Sequence, residues 1–103
     1  MEDPRIARFF SLLSQNVNYN HDVAFYAYQL KLHPDSLSRL LRRGTGHGAK
    51  WHISRQLYEH ADKRLREGQQ QSTISRELGF VDAAHFSRFM KKMRGSGGPA
   101  TRS

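Results

Sequence analysis

Apolar residues recur at intervals of three and four along most of the chain, which is the spacing of an amphipathic α-helix. The strict apolar–polar alternation of a half-buried β-strand is scarce. The pattern therefore predicts an all-α fold. The predicted helices cover about residues 3–17, 22–30, 34–43, 49–67, 71–78 and 82–94.

Capping residues indicate where these helices start and stop. Asp22 and Asp82 each precede a predicted helix and can accept a hydrogen bond from its first free N–H groups. Pro34 suits the first turn of a helix, where its missing N–H costs nothing. The glycines of Gly44–Gly48 and Gly68 tolerate left-handed backbone conformations, so we expect them to end the third and fourth helices.

An approximate internal duplication relates the two halves of the chain. Residues 22–43 and 71–94 each comprise a short helix, a turn of three to four residues and a second helix. Each second helix contains an apolar residue followed by Ser-Arg, and then a basic pair. This arrangement is typical of the helix-turn-helix motif, whose second helix enters the major groove of DNA. We therefore predict two such units in one domain over residues 1–95, followed by a flexible tail at 96–103.

The helical period separates a buried stripe from an outward face in each second helix. The outward face carries Asp35, Ser38 and Arg39 in the first unit, and Ala84, Ser87 and Arg88 in the second. These residue types suit the edges of bases, because Arg pairs with guanine, Ser donates or accepts, and Ala packs on the methyl group of thymine. The basic residues further along each helix are expected to contact phosphates: Arg42, Arg43, Lys91 and Lys92.

The predicted helix at 49–67 lies between the two units and sets their spacing. About 19 residues at ~1.5 Å each give a length of roughly 28 Å. Successive major grooves on one side of B-DNA are roughly 34 Å apart. We therefore expect the two recognition helices to occupy successive major grooves, with a slight bend in the duplex.

The net positive charge of the chain favours a polyanionic partner, although other classes of basic protein carry a similar charge. The 103 residues contain 17 Lys and Arg against 9 Asp and Glu, a formal net charge of +8. Phosphate backbones attract such surfaces and release counterions on binding. The chain has no cysteine, which excludes disulfides and cysteine-ligated zinc and fits a cytoplasmic protein. No apolar run is long enough for a membrane span or a signal peptide.

Other residues that could indicate a binding or catalytic site have a simpler structural interpretation. Four aromatic residues fall on predicted buried stripes, so we interpret them as core residues rather than platforms for base stacking: Trp51, Phe80, Phe86 and Phe89. The six histidines lack the spacing of a zinc site. The glycines at 44, 46 and 48 have no preceding strand and do not form a phosphate-binding loop. No catalytic triad or carboxylate pair is indicated, so we predict no enzymatic activity, no metal and no cofactor.

Three stretches of the chain resemble the DNA-binding domain of the AraC/XylS family of bacterial transcription regulators. Residues 32–46 resemble the first recognition helix with its closing Thr-Gly, and residues 51–57 resemble the start of the linker helix. Residues 78–95 carry the most specific signature, which is Gly-Phe, then Phe-Ser-Arg, then a basic pair.

The resemblance implies two homeodomain-like three-helix units joined by a linker helix. It implies a cytoplasmic, nucleoid-associated protein that binds promoter DNA, usually to activate transcription, with RNA polymerase as a further partner. The family's base-contacting positions coincide with the outward faces above and add Ala83. Most relatives also carry an effector-binding or dimerisation domain, which these 103 residues do not contain.

Some positions depart from the family pattern. Gly97 and Gly98 stand where Thr-Pro is usual, and Thr101 replaces a Tyr, so the family's final helix is not predicted. Alanines at two reading positions of the second unit offer few hydrogen bonds. We therefore expect the first unit to dominate sequence specificity and the second mainly to anchor and align.

Three functions compete on the sequence. The first is sequence-specific regulation of transcription through double-stranded DNA. The second is sequence-independent binding of nucleic acid by a basic helical domain. The third is a protein-interaction module whose charge only aids solubility.

Overall fold

The computed structural model describes residues 3–95, and these form six helices without a strand. The all-α prediction is confirmed. The helices are α1 (Pro4–Asn16), α2 (Val23–Gln29), α3 (Pro34–Thr45), α4 (Ala49–Arg66), α5 (Gln71–Glu77) and α6 (Ala83–Gly95). The predicted tail at 96–103 lies outside the described residues. None of the six helices is long and apolar enough to cross a membrane.

The chain divides into two compact units, Met1–Gln56 and Leu57–Ser103. The boundary falls inside α4, so the first half of this helix belongs to the first unit and the second half to the other.

The core of the first unit is built from α1, α2 and α3. Phe9, Tyr26 and Leu37 have no accessible surface. The rings of Phe9 and Tyr26 meet edge to face with their centroids 5.7 Å apart, a favoured geometry for buried aromatic pairs. The Tyr26 hydroxyl donates to the carbonyl oxygen of Asn20 at 2.8 Å, so its polar end is satisfied while its ring fills the core.

A buried histidine completes this unit. His52 of α4 is only 9% exposed and packs edge-on against Phe10, with ring centroids 4.9 Å apart. Its Nε2 lies 2.7 Å from Oγ1 of Thr45, the last residue of α3. Burial, and then the neighbouring charges of His47 and Arg55, lower the pKa of His52. The pattern of apolar residues along α4 in the sequence gives no indication of this contact between His52 and Thr45.

The core of the second unit lies between α5 and α6. Ile74, Leu78 and Phe86 have no accessible surface. Phe80 lies in the turn between the two helices, and its ring contacts Phe86 edge to face at 5.1 Å. The second half of α4 joins this unit through Arg64, whose guanidinium pairs with Glu77 of α5.

The end of α3 differs from the prediction. The helix continues through Gly44 to Thr45 and stops at Gly46, the one glycine of this loop with a left-handed backbone, φ 91°. A Cβ on Gly44 would collide with the side chain of Ile6 from α1. Gly44 is therefore a packing position inside the helix and not its terminator.

Trp51 also differs from the prediction, because it is only half-buried. Its ring stacks on the exposed His47 at a centroid distance of 3.8 Å and an angle of 8°. The guanidinium of Arg55 lies 5.3 Å from the centre of the Trp51 ring, within the range of a cation–π contact. Of the other predicted core aromatics, Phe86 is fully buried, whereas Phe80 and Phe89 are half-buried.

Candidate nucleic-acid interface

The first helix pair consists of α2 and α3, joined by the turn Leu30 to His33. Asp22 caps α2 by accepting from the N–H of Ala24 at 3.1 Å. Leu30 is buried under the turn, and Lys31 then adopts a left-handed backbone, φ 58°. The N–H of Leu32 donates back to the carbonyl of Ala27 at 2.9 Å, which closes the turn and directs the chain into α3.

The second helix pair, α5 and α6, repeats this backbone arrangement with one additional residue. Leu78 is buried in the equivalent place, and Gly79 adopts the left-handed conformation with φ 83°. The N–H of Phe80 donates to the carbonyl of Ser75 at 3.0 Å. The additional residue places Asp82 at the start of α6, where its carboxylate accepts from the N–H of His85 at 2.7 Å.

Ser75 shows how the second pair accommodates a polar residue in its core. The residue is only 3% exposed, and its hydroxyl donates to the carbonyl of Asp82 at 3.2 Å. This bond ties α5 to the residue that caps α6. It therefore links the supporting helix directly to the start of the second one.

The outward face of α3 lies opposite a stripe of buried residues on the same helix. Leu37 and Leu41 are fully buried, so the opposite side of the helix faces solvent. The predicted base-reading residues Asp35 and Arg39 are exposed, and Ser38 is half-buried.

The predicted phosphate contacts of α3 have distinct surroundings. Both Arg42 and Arg43 are exposed. A Cβ on Gly48 would lie 3.0 Å from Nη2 of Arg42, so this guanidinium reaches back over the start of α4. Arg43 lies near Asp3 and helps to lower its pKa, after the larger effects of the hydrogen bonds from Arg5.

The outward face of α6 is formed in the same way. Phe86 and Met90 are buried, and all of the sequence-predicted contacts on this helix are exposed. These residues are Ala83, Ala84, Ser87, Arg88, Lys91 and Lys92. Each helix pair thus presents a face with Ser-Arg followed by two basic residues.

A family model described as a helix-turn-helix domain matches residues 26–97, which is more than half of the chain. It includes α3, α4, α5 and α6, and it supports assignment to the AraC/XylS type. The chain belongs to the AraC-type helix-turn-helix family. No curated protein and no solved structure matches the chain.

Membership of the AraC-type family establishes double-stranded DNA as a partner and transcription regulation as the general function. Domains of this family are typically not enzymes. In residues 3–95 no group of three or more His, Asp or Glu side chains is placed to hold a metal ion.

In residues 3–95, the ion pairs that Lys and Arg side chains form with Asp or Glu involve no residue of α3 or α6. Arg5 pairs with Asp3 at 2.7 Å, and Arg66 pairs with Asp62 at 3.1 Å. Within residues 3–95, no basic side chain of α3 or α6 forms an ion pair: Arg39, Arg42, Arg43, Arg88, Lys91, Lys92 and Arg94. Their charges are therefore available to an external anion.

Val81 is a further exposed residue beside α6, and the sequence pattern does not distinguish it. This residue lies in the turn before α6 and is 82% exposed. It follows Phe80 in a short apolar pair, and nothing in that local pattern distinguishes the residue that packs inward from the one that faces solvent. Only the path of the turn separates them.

Proposed function

We propose that the protein is a sequence-specific regulator that places α3 and α6 in successive major grooves of one promoter site. The observation that carries this proposal is the repeated helix pair. In each pair a buried turn supports a second helix whose Ser-Arg and basic residues face outward without internal ion pairs. A surface that only aids solubility has no need of two matching faces of this kind.

The proposed readers of the first unit are polar. Arg39 can donate two hydrogen bonds to guanine, and Ser38 beside it can donate or accept. Asp35 is exposed in the first turn of α3 and can accept from the amino group of cytosine. Arg42 and Arg43 are assigned to the phosphates on either side.

The second unit offers fewer hydrogen bonds. Ser87 and Arg88 correspond to Ser38 and Arg39, but Ala83 and Ala84 occupy the first turn of α6. Lys91 and Lys92 are assigned to phosphates. The first unit accordingly supplies most of the hydrogen-bonded sequence readout, and the second aligns the domain on the site.

The length of α4 supports the two-groove arrangement. The helix contains 18 residues. At ~1.5 Å per residue this gives a length of roughly 27 Å, slightly less than the ~34 Å between successive major grooves on one side of the duplex. A modest bend of the DNA would close the difference.

The decisive experiment is selection of bound sequences from a random duplex pool, followed by footprinting of the selected site. The proposal predicts one motif, two protected major-groove segments about one turn apart, and binding at least roughly 10³-fold tighter than to random duplex. Equal affinity for all duplexes would establish sequence-independent binding instead. A motif with protection confined to one half-turn would show that only one unit contacts DNA.

A further inference from the structure

The start of α6 presents exposed apolar side chains. Val81 is 82% exposed, more than Tyr19 or Tyr28, the other large apolar residues that face solvent in residues 3–95. Ala83 and Ala84, the first two residues of α6, are exposed as well. Three apolar side chains therefore cluster in sequence at the end of the helix that is expected to meet the base edges first.

The corresponding end of α3 has the opposite chemistry. The side chains of His33 and Asp35 are 72% and 77% exposed, and His33 Nδ1 lies 4.0 Å from Asp35 Oδ2. His33 Nδ1 also caps α3 by accepting from the N–H of Asp35 at 3.1 Å. The two recognition helices thus begin with a polar group in one unit and an apolar group in the other, although the supporting turns are alike.

The major groove contains one apolar feature, the C5-methyl group of thymine. Cytosine acquires the same group when it is methylated at C5. A contact with this methyl group removes apolar surface of both partners from water, which is favourable in proportion to the area buried.

The surroundings of the three side chains favour DNA as their partner. Arg88 and Lys91 follow on the same outward face of α6, and within residues 3–95 neither forms an ion pair. Asp82 is the acidic residue closest in sequence, and its Oδ1 accepts the His85 N–H at the helix start. An apolar tip followed by unpaired cations complements a major groove whose floor carries base edges and whose rims carry phosphates.

We propose that Val81, Ala83 and Ala84 form a methyl-reading patch that recognises C5-methyl groups of pyrimidines in the half-site of α6. The proposal rests on the proposed function and gives the second unit its own specificity. That unit adds apolar readout to the hydrogen bonds of Ser87 and Arg88, whereas the first unit reads by hydrogen bonds alone.

The first step of the test identifies which half-site α6 occupies. Because the chain contains no cysteine, a single Gly95→Cys substitution provides a unique thiol. A Cβ at Gly95 meets no atom within 4 Å, so the substitution has room. A DNA-cleaving iron chelate attached to this thiol marks the half-site next to the end of α6.

The second step removes methyl groups without altering base pairing. Thymines in the α6 half-site are replaced by deoxyuridine, and the same is done in the α3 half-site as a control. We expect affinity to fall roughly fourfold for each contacted methyl group in the α6 half-site. In the α3 half-site we expect a change of less than about twofold. A separate duplex carries 5-methylcytosine in place of cytosine in the α6 half-site. A higher affinity for this duplex than for the unmethylated one assigns the contact to methylcytosine.

The third step links the effect to the protein. The triple variant Val81→Ser, Ala83→Ser, Ala84→Ser should bind thymine and deoxyuridine sites equally. Tyr19→Ser removes another exposed large side chain, outside the recognition helices, and should retain the full difference. If the triple variant melts below the assay temperature, Val81→Thr, which preserves shape and replaces one methyl group, should retain only part of the difference.

The outcomes separate the two proposals. Absence of any selected motif overturns the proposed function and this inference with it. A clear motif whose affinity changes with neither deoxyuridine nor 5-methylcytosine overturns the methyl-reading patch alone. So does a triple variant that remains as sensitive as the wild type, since the methyl contact would then belong to other residues.

Discussion

At the scale of single residues, two arginines of α3 allow base reading to be separated from phosphate binding. Arg39 is exposed on the outward face, whereas Arg43 lies beside Asp3 near the start of α1. We expect Arg39→Ala to cost about 1–3 kcal/mol at the selected site and to relax the preference at one base pair. Competition binding against a panel of single-base variants measures both effects.

Arg43→Ala is the matched control for Arg39→Ala. It removes the same charge from the same helix, and it should weaken binding to all sequences alike. The slope of log K against log salt should become shallower by about 0.9, the value for one lost phosphate contact. If Arg39→Ala weakens random duplex as much as the selected site, Arg39 is a phosphate ligand and not a reader.

His52 makes the stability of the first unit depend on pH. Burial and nearby positive charge lower its pKa in the folded state, so the folded protein holds the neutral ring, whereas the unfolded chain titrates near 6.5. Protons bind preferentially to the unfolded chain as the pH falls below that value. Stability is therefore complete above about pH 7 and decreases as the pH falls towards the lowered pKa of the folded protein. Burial shifts the pKa of His21 in the same direction.

The His52→Gln variant tests this dependence, because it keeps a side chain that can bond to Thr45 but cannot titrate. Urea unfolding at about pH 7.5 and about pH 5 should show a smaller pH effect in this variant than in the wild type. His85→Gln removes an exposed histidine and should preserve the wild-type effect. An unchanged pH dependence in His52→Gln would exclude His52 as its source.

At the scale of elements, the two turns each contain a residue with a left-handed backbone conformation, but the residue type differs. Lys31 and Gly79 both adopt positive φ, at 58° and 83°. Such a conformation costs a residue with a Cβ about 1–2 kcal/mol. We expect Gly79→Ala to lower the free energy of unfolding by about this amount, although its Cβ would meet no neighbouring atom.

Gly95→Ala provides the comparison for Gly79→Ala. Its Cβ would also lie in open space, but Gly95 is the last residue of α6 and its φ is not in the left-handed region. We expect a change between zero and about 1 kcal/mol of stabilisation in urea unfolding. Equal losses in both variants would mean that the backbone angle at Gly79 is not the cause.

Local signals predicted the elements well because most helix starts depend on adjacent residues. Asp22 caps α2 and Pro34 begins α3 as their sequence positions indicated, and Asp3 caps α1 in the same way. The end of α3 could not be found in this way. The helical conformation of Gly44 depends on Ile6, which is distant in sequence and becomes a neighbour only when α1 packs on α3.

The candidate site was predictable to a similar extent. Helical periodicity places the proposed readers of α3 and α6, apart from Ala83, opposite their buried stripes. The distribution of ion pairs was not predictable, because the pair between Arg64 and Glu77 joins two helices across a turn. The exposure of Val81 likewise follows from the path of the chain between α5 and α6.

At the scale of the whole molecule, charge is shared between the units. The formal net charge of +8 divides equally at the boundary between Gln56 and Leu57. Each unit can therefore attract DNA by itself, and charge alone gives no reason for the two to act on a single site. The proposal that both units act on a single site rests instead on α4, whose 18 residues cross the boundary between them.

The proposal that α4 acts as a rigid spacer makes a prediction about the DNA. Inserting about five base pairs between the half-sites turns the second groove to the opposite side of the duplex. Inserting about ten base pairs returns the second groove to the original side of the duplex but moves it roughly 34 Å further away. This added distance exceeds the whole length of α4, roughly 27 Å. Both insertions should therefore reduce affinity to that of a single half-site, measured by anisotropy titration and footprinting. Insertions of the same length outside the selected site should have no effect. Recovery of binding with ten base pairs would mean that the connection between the units extends. In that case α4 would not fix the distance between the two half-sites.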